Sequence, residues 1–363
     1  MTITDVHFDC RHFRGAIPCK PNKLSGAVCN SCGEYAKIEK RILIVKLGAL
    51  GDVIRTTPLV VRFRKLYPNA HITWLTQAPD ILPKDGQIDL IYRLDAPALF
   101  SLSHTEFDIA INLDKEPEAC ILLDKVIATE KYGYIQRNGH LSAATPAAEH
   151  KLMTGFFDDL SKANTKSYPQ EIFEICHMDF EGEEYLIHLN DKLAHEWKLK
   201  MAVQSNGLEI VGLNTGCGPR WNTRLWSEAA WIDLATKLRE EGYCPVFLGG
   251  ELEHEKNLRM SHAAGVHYPG HFSLAEFIAL TDSCDYVVTQ VSMMMHIATA
   301  LKKKMVLMNT IFNKHEFEVY NRGVIVEPPT PCECYYGNTC VRGTSCMHDI
   351  TPAVVRDAVL TLK

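Results

Sequence analysis

Residues 41–60, RILIVKLGALGDVIRTTPLV, constrain the fold of this chain more than any other stretch. The apolar run at 42–45 is typical of a strand that is buried on both faces of a parallel sheet. Gly48 and Gly51 follow in a loop, and Asp52 opens a helical pattern of apolar residues. Together they predict a βα unit, in which glycine allows close approach of a ligand and the helix N-terminus offers free N–H groups.

Asp52 has two interpretations from the sequence alone. An Asp at a helix start caps free N–H groups more often than it takes part in catalysis. A carboxylate beside a glycine loop can also act as an acid or a base. The loop has neither GxGxxG spacing nor a GK[ST] sequence, so it predicts neither a dinucleotide site nor a P-loop.

The composition excludes several classes of protein. With 363 residues, 46% hydrophobic and 23% charged, the chain is long enough for two domains and has the balance of a globular protein. The net charge of −6 argues against a nucleic-acid partner. No apolar run reaches the length of a membrane span, and the first residues lack the apolar core of a signal peptide, so we expect a cytoplasmic protein.

Apolar runs and helical patterns alternate along the rest of the chain, which predicts an α/β fold with doubly wound parallel sheets. The further predicted strands are 72–75, 107–113, 132–135, 209–213, 245–250 and 286–289, and the predicted helices include 117–128 and 191–204. Ligands of such sheets bind outside the carboxyl ends of the strands. We therefore look for a site in the loops that follow them.

A second glycine loop opens the second half of the chain. In NTGCGPRWNTRLW, residues 214–226, Thr215 and Gly216 precede Arg220 and Arg224. Free N–H groups at the start of a helix, together with fixed positive charge, suit a diphosphate. The alternative is that both arginines are solvated loop residues.

The strings KLGALGDVIRTTPLV and RKLYPNAHITWLT resemble the N-terminus of the bacterial ADP-heptose:lipopolysaccharide heptosyltransferases, glycosyltransferase family nine. The resemblance covers roughly residues 41–360. It implies two Rossmann-like domains that face each other, the GT-B architecture, with the acceptor on the N-terminal domain and the nucleotide sugar on the C-terminal one. We therefore expect domains at 41–190 and 207–350, and a final helix at 351–363 that packs back toward the N-terminal domain.

The resemblance also implies roles for single residues. The Asp of the family's glycine loop is the proposed base, so Asp52 would deprotonate the acceptor in an inverting transfer without a catalytic metal. Arg224 stands where family members have a Lys that contacts the diphosphate. Glu253, with Glu255 close behind, stands where an acidic residue binds the ribose, although charges after a strand are often only solvated. Phe272 stands on the adenine side, where a core aromatic is the alternative.

One loop departs from the family pattern. Family members usually have D-T-G-x-x-H, and the aligned residues here are Val291, Ser292 and Met293, followed by His296. The hydroxyl and the His are kept, whereas the Asp and the Gly are lost, which leaves the donor sugar open. His296 can instead be a buried structural histidine. The complete set predicted to bind the nucleotide sugar is Gly48, Gly51, Thr215, Gly216, Arg220, Arg224, Glu253, Phe272, Ser292, Met293 and His296.

Eight of the thirteen cysteines lie in two clusters, Cys10, Cys19, Cys29 and Cys32 near the start and Cys332, Cys334, Cys340 and Cys346 near the end. Residues 1–40 lie outside the resemblance and contain too few apolar side chains for a core. Four thiols there predict a tetrahedral metal site, zinc by default with iron as the alternative and His12 as a substitute ligand. The alternative is that these cysteines bind no metal and lie in a segment without a fixed structure. The second cluster predicts a second site, or ligands shared with the first.

These observations predict an inverting glycosyltransferase that moves a sugar, foremost a heptose from ADP-heptose, to a lipopolysaccharide-core or other glycan acceptor. The alternatives are a protein O-heptosyltransferase, a non-catalytic sugar-nucleotide-binding assembly protein, and a sugar-nucleotide epimerase of similar fold. The expected partners are a nucleotide sugar and a glycan, lipid-linked or protein acceptor. Peripheral contact with the inner membrane and homo-oligomer formation are left open, and the metal is expected to be structural.

Overall fold

The computed structural model describes residues 2–363, and its strands and helices alternate as the sequence predicts. The strands are β1 (Arg41–Val45), β2 (His71–Thr76), β3 (Leu90–Arg93), β4 (Glu106–Asn112), β5 (Ile127–Arg137), β6 (His140–Ala143), β7 (Ile210–Asn214), β8 (Cys244–Leu248), β9 (Tyr286–Gln290), β10 (Lys304–Met308) and β11 (Gly323–Val326). The α-helices are α1 (Lys20–Ser25), α2 (Leu50–Thr56), α3 (Pro58–Leu66), α4 (Ala96–Ser103), α5 (Pro117–Lys125), α6 (Glu149–Thr154), α7 (Asp158–Ala163), α8 (Tyr168–Ile175), α9 (Asp191–Ser205), α10 (Glu228–Glu240), α11 (His254–Ala264), α12 (Leu274–Asp282), α13 (Met293–Ala300) and α14 (Pro352–Thr361). Across residues 2–363, no helix combines the length and the apolar character that crossing a membrane requires.

The first of two compact units contains the sheet β3-β2-β1-β4-β5-β6 and consists of residues up to Ala49, Thr56–Leu152 and Gln170–Glu184. Its strands are parallel except β6, which runs antiparallel to β5. β1 lies between two neighbours, with Ile42 opposite Ile72 on one side and Ile109 on the other. This inner position explains why the strand is apolar on both faces.

The second unit contains the all-parallel sheet β11-β10-β9-β7-β8 and consists of Leu50–Arg55, Met153–Pro169 and Tyr185–Lys363. The α/β class predicted from the sequence is thus confirmed in both units. The expected continuous domain at 41–190 differs from this division, because Leu50–Arg55 and Met153–Pro169 belong to the second unit.

The C-terminal helix α14 belongs to the core of the second unit. Its buried residues Val355, Ala358 and Val359 lie in the same hydrophobic cluster as Trp231 of α10. The expected packing of this helix toward the N-terminal domain stays a prediction. Its three buried apolar residues recur at helical spacing and match the apolar face of α10, which accounts for its position.

The chain that leaves β1 forms two helices where the apolar pattern suggested one. α2 ends at Thr56, and α3 begins at Pro58. Proline lacks an N–H and clashes with the preceding turn, so it is tolerated at the start of a helix and not in its interior. The break leaves α2 as a short helix of seven residues that carries Asp52 in its first turn.

The segment before β1 makes polar contacts with the rest of the first unit. Arg11 donates from Nε to Asp89 Oδ1 over 2.7 Å and from Nη2 to the Gly86 carbonyl over 2.6 Å. Arg14 donates to the Asp89 carbonyl over 2.6 Å. Between residues 2 and 40, Pro21 is the one residue that is buried. The segment therefore has almost no hydrophobic core of its own.

Candidate active site

A cavity of about 470 Å³ lies at the carboxyl ends of β7, β8 and β9 in the second unit. Its lining includes residues that the sequence predicted for the nucleotide sugar: Gly216, Glu253, Phe272, Ser292 and Met293, together with Leu50 at the start of α2. The volume is that of a ligand pocket for a small organic molecule. The position is the one at which open α/β sheets bind their ligands.

Asn214, the last residue of β7, holds the loop that forms the floor of the cavity. Its Nδ2 donates to the Gly216 carbonyl over 2.8 Å and to Thr289 Oγ1 over 2.9 Å. The same nitrogen lies 3.4 Å from Ser292 Oγ. Ser292 in turn accepts the Met294 N–H over 3.2 Å and so caps α13. One buried amide thus joins the loops after β7 and β9.

Glu253 reaches the loop after β7 because Gly216 has no side chain. A Cβ at Gly216 would lie 2.6 Å from Glu253 Oε1 and 2.9 Å from its Oε2, which is closer than atoms can approach. The carboxylate also accepts the Gly250 N–H over 3.0 Å. These contacts fix an acidic group on the cavity wall, where hydroxyl donors of a ligand can reach it.

Two polar residues of α11 support this loop and were missed in the sequence. Thr215 donates to Asn257 Oδ1 over 2.6 Å, and Lys256 Nζ donates to the Thr215 carbonyl over 3.0 Å. Burial lowers the pKa of Lys256, which the charge of Glu253 opposes. Both residues lie one helical turn after Glu253, and that spacing was the available signal. Thr215 itself faces Asn257 and not the cavity.

Arg224 is buried, and its guanidinium is directed at backbone carbonyls. Nη1 donates to the Val291 carbonyl, Nη2 to the Cys217 carbonyl, and Nε to the Trp221 carbonyl over 3.3 Å. Burial lowers the pKa of this guanidinium. Arg224 therefore braces the loops after β7 and β9, and a direct contact with a diphosphate stays a prediction.

Arg220 and Phe272 have different surroundings. Arg220 is exposed and lies over the ring of Trp221, with 4.3 Å between the guanidinium carbon and the ring centroid. Phe272 lines the cavity and packs edge-to-face on Trp197 of α9 at 4.8 Å. The ring of Phe272 is thus held by the protein while part of it faces the cavity.

Gly51 and His296 pack directly on one another. A Cβ at Gly51 would lie less than 3.0 Å from His296 Cδ2 and 3.1 Å from its Nε2. The His296 ring is buried and stacks on Tyr185, with 6.3 Å between centroids. Glycine at position 51 therefore lets the first turn of α2 rest on the face of α13 that carries His296.

Asp52 lies beside Gly51 and is the partly exposed carboxylate of this cluster. Arg55 Nη2 holds Asp52 Oδ1 at 2.8 Å, and Arg55 Nη1 lies 3.9 Å from Glu316 Oε2. The Arg55 guanidinium also stacks on Tyr168 at 3.7 Å. Burial alone would lower the pKa of Arg55, but the neighbouring Asp52 raises it overall. Arg55 thus remains a cation that orients the Asp52 carboxylate.

His296 is electrically neutral in this environment. Burial and the charge of Arg55 lower its pKa to about 3, against a smaller opposing effect of Asp52. Its Nδ1 is buried and has no hydrogen-bond partner. A neutral, stacked imidazole fits a packing role better than that of a cation for phosphate, so the structural interpretation of His296 is the one that these contacts support.

The first glycine of the loop after β1 has its own support in the first unit. The N–H groups of Leu47 and Gly48 donate to Asp114 Oδ2 over 2.9 Å and 3.3 Å. Lys46 Nζ lies 3.4 Å from the same oxygen. Asp114 is buried after β4, and its carboxylate braces the glycine loop through these contacts.

Both cysteine clusters are present as free thiols. Cys10, Cys19, Cys29 and Cys32 line a second cavity, of about 260 Å³, in the first unit, together with His12. Near the C-terminus, the Cys334 N–H donates to Cys332 Sγ over 3.3 Å and the Val341 N–H to Cys334 Sγ over 3.2 Å. Among residues 2–363, no three His, Cys, Asp or Glu side chains are arranged around a single ion.

The cysteine loop near the C-terminus is attached to the segment that carries Arg224. Thr223 Oγ1 donates to the Gly337 carbonyl over 2.9 Å, and the Tyr336 N–H donates to the Ile311 carbonyl over 3.1 Å. Backbone N–H groups on cysteine sulfurs are typical of thiolates that hold metals. The Cys332–Cys346 cluster is therefore tied through Thr223 to the segment that carries Arg224.

The family of the chain is shown by a match to a family model. Residues 100–326, more than half of the chain, match glycosyltransferase family 9 (heptosyltransferase). The chain belongs to glycosyltransferase family 9. It is therefore a glycosyltransferase of heptosyltransferase type, as its glycine loop had suggested. That loop, at 41–60, and the first cysteine cluster both lie outside the matched residues. No curated protein sequence matches the chain significantly.

Solved structures share the fold at low sequence identity. The family 9 glycosyl transferase from Veillonella parvula DSM 2008 superposes with a TM-score of 0.69 at 19% identity, over 90% of this chain and 97% of that one. E. coli heptosyltransferase WaaC with ADP gives 0.60 at 16% identity, over 89% and 100%. TibC, an iron-containing dodecameric glycosyltransferase from enterotoxigenic E. coli H10407, gives 0.56 at 14% identity, over 90% and 76%.

Proposed function

We propose that this family 9 member transfers a heptose from ADP-heptose to a lipopolysaccharide-core or other glycan acceptor, with inversion at the anomeric carbon. The observation that carries the proposal is the cavity at the ends of β7, β8 and β9. It gathers Gly216, Glu253, Phe272 and Ser292 in the same unit that contains the helix turn with Asp52.

The choice of donor rests on the shape of the cavity wall and on the relatives. Phe272 offers a ring face for a base, and the Glu253 carboxylate can accept hydrogen bonds from both ribose hydroxyls. The Ser292 hydroxyl and the start of α13 provide donors for phosphate oxygens. WaaC has been solved with ADP and with ADP-2-deoxy-2-fluoro heptose, and TibC with ADP-D-beta-D-heptose.

In the proposed reaction, Asp52 accepts the proton of the acceptor hydroxyl as that oxygen attacks the anomeric carbon. The bond between that carbon and the β-phosphate oxygen breaks, and ADP departs with the electron pair. The loop N–H groups after β7 and β9 stabilise the negative charge that develops on the diphosphate. Arg224 holds these loops in place through its carbonyl contacts. The proton leaves Asp52 to solvent after the transfer.

We also propose that metal in this protein is structural and takes no part in the transfer. The cysteine clusters lie at 10–32 and 332–346, and none of their residues lines the donor cavity. Thiolates bind soft and borderline metals, and the metal-binding free energy of a small segment becomes folding free energy. That TibC contains iron supports metal binding in a protein of this fold.

A donor panel tests the proposed function. Purified protein is given ADP-heptose, UDP-glucose or GDP-mannose with a heptose-deficient lipopolysaccharide core, and release of the nucleoside diphosphate is measured. We expect ADP release with ADP-heptose only when the acceptor is present. Conversion of the donor without acceptor would indicate an epimerase. Tight ADP-heptose binding without turnover on glycan or protein acceptors would indicate the assembly protein.

The acceptor and the assembly of the protein are separate parts of the proposal. The same assay with a protein acceptor, analysed by mass spectrometry for added heptose, distinguishes an O-heptosyltransferase from a glycan-modifying enzyme. Flotation with inner-membrane vesicles measures peripheral binding. Light scattering measures the oligomeric state, for which the dodecameric TibC is the precedent within this fold.

A further inference from the structure

We propose that Cys10, Cys19, Cys29 and Cys32 hold an iron–sulfur cluster and not a single metal ion. All four thiols line one cavity of about 260 Å³ in the segment before β1. None of them is engaged in a disulfide. The inference goes beyond glycosyl transfer, because this cavity lies in the first unit and shares no lining residue with the donor cavity.

The size of the cavity argues against a single ion. A tetrahedral zinc site has Zn–S distances of about 2.3 Å, which brings the four sulfurs to about 3.8 Å from one another around a filled centre. Here no three ligand side chains among the described residues converge on one point. The cavity that the four thiols line is many times the roughly 10–15 Å³ that one water molecule needs. An inorganic core of iron and sulfide, ligated by four cysteines at its periphery, fits such a space.

Three separate pieces of backbone present the thiols. Cys29 begins a short 3-10 turn and Cys32 follows it, which gives the CxxC pair that metal sites commonly use. Cys19 is the N-cap residue of α1, and Cys10 forms an isolated bridge with Lys37. Each thiol therefore comes from a position fixed by local backbone hydrogen bonds.

The remaining lining of this cavity is largely apolar. Val6, Phe13, Ile17 and Val28 all face it. Apolar side chains beside a cluster lower the polarity of its surroundings, which affects its reduction potential. If the cavity held only water, exposure of these apolar side chains to it would cost free energy.

The segment also needs an internal source of stability. Ile3, Phe8, Ile17 and Leu24 are all more than half exposed, and Pro21 is the one buried residue between 2 and 40. Segments of this size usually depend on disulfides or metals when they have no core. A ligated cluster joins Cys10 to Cys32 across the whole segment and provides the missing core.

The cluster would be connected to the body of the first unit through the residue after its first ligand. Arg11 follows Cys10 and makes the 2.7 Å contact with Asp89, which Arg64 of α3 also binds. The Arg11 N–H donates to the Ala36 carbonyl over 2.7 Å. Loss of the cluster should therefore loosen both the segment and its attachment to Asp89.

The test is the metal and sulfide content of the full chain. Protein purified without oxygen or chelator should contain iron and acid-labile sulfide in equal amounts, about two or four of each per chain, with the broad visible absorption of an iron–sulfur chromophore. The Cys29→Ala/Cys32→Ala variant should lose this sulfide and become protease-sensitive before Arg41. ADP binding by calorimetry should persist in that variant, which shows that the second unit remains folded.

The Cys332→Ala/Cys334→Ala variant is the matched control, because it removes two thiols of the other cluster. It should keep the sulfide and the protection of residues before Arg41. About one zinc per chain without sulfide would overturn the proposal in favour of a single-ion site. Sulfide lost only in the control variant, or anaerobic protein with neither iron nor sulfide, would overturn it as well.

Discussion

Replacement of Gly51 by alanine tests whether the contact between α2 and His296 positions Asp52, the proposed base. The new Cβ would lie less than 3.0 Å from His296 Cδ2, whereas ordinary contacts begin near 3.4 Å, so the helix turn or the ring must move by roughly 1 Å. The His296 ring has little room, since it is buried and stacked on Tyr185. We expect the first turn of α2 to move, and Asp52 to move with it.

Two opposing effects on stability make turnover the informative measurement. Alanine is favoured over glycine in a helix by about 0.5–1 kcal/mol, while overpacking typically costs about 1–3 kcal/mol. The net change in the free energy of unfolding should therefore be small, about 0–2 kcal/mol. A displacement of roughly 1 Å at a reacting group can cost about 100-fold in rate. We expect kcat to fall by about that factor in Gly51→Ala, with ADP affinity little changed.

A double-mutant cycle with His296→Ala separates this contact from other effects. Once the ring is gone, the added methyl group has space, so Gly51→Ala should cost far less in the His296→Ala background than in the wild type. Gly48→Ala should lose much less than Gly51→Ala, because its Cβ would meet only Gln77 Oε1 at 3.6 Å. Equal losses in both backgrounds, or near-normal turnover of Gly51→Ala, would refute the reasoning.

Three further predictions address single residues of the site. Asp52→Asn should lose at least roughly 100-fold in turnover in the ADP-release assay while calorimetry still detects ADP binding; near-normal turnover removes Asp52 as the base. Arg224→Ala should weaken ADP binding by about 1.5–3 kcal/mol. Arg224→Lys should recover little of this affinity, because one ammonium cannot reach three carbonyls. Substantial recovery of affinity in the Lys variant would indicate a direct phosphate contact. Because the folded pKa of His296 is about 3, below the usual 6.5, its neutral form stabilises the fold above pH 6.5, and this contribution is lost toward pH 3. At pH 5 the free energy of unfolding should be about 2 kcal/mol lower than at pH 8 because of this group. Denaturation curves of His296→Gln, in which Arg55 and Asp52 are unchanged, should not show this decrease.

The sequence indicated the strands and loops of the fold because their signals are local. The apolar run of β1, the capping residue Ser273 of α12 and the Gly242 that follows α10 are each visible within a few residues. The break between α2 and α3 also has a local signal, Pro58, which the prediction from the apolar pattern did not take into account. The strands β3, β6, β10 and β11 were missed, because they are short or lie among polar residues.

The partners of the site residues could not be predicted, because they come from distant parts of the chain. Arg55 stacks on Tyr168, and Asp114 braces the loop that begins more than sixty residues earlier. Arg224 was expected to meet a diphosphate, and its guanidinium contacts three carbonyls, which residue type and spacing alone do not reveal. Sequence patterns indicate which residues lie near a site, and only the fold indicates which group each side chain contacts.

Two glycines, Gly216 and Gly51, each allow a side chain from elsewhere in the second unit to approach the backbone closely, and this affects the proposed reaction. Gly216 admits Glu253 to the loop after β7, and Gly51 admits the His296 ring to the first turn of α2. His296 lies on α13, whose N-cap Ser292 lines the cavity at the ends of β7, β8 and β9 and accepts a hydrogen bond from Asn214. The turn with Asp52 is therefore packed on the same short helix that would hold the donor phosphates. Because one helix connects the proposed base with the proposed phosphate loop, a change in that loop, such as the loss of the family's Asp and Gly, should affect donor choice and the placement of Asp52 together.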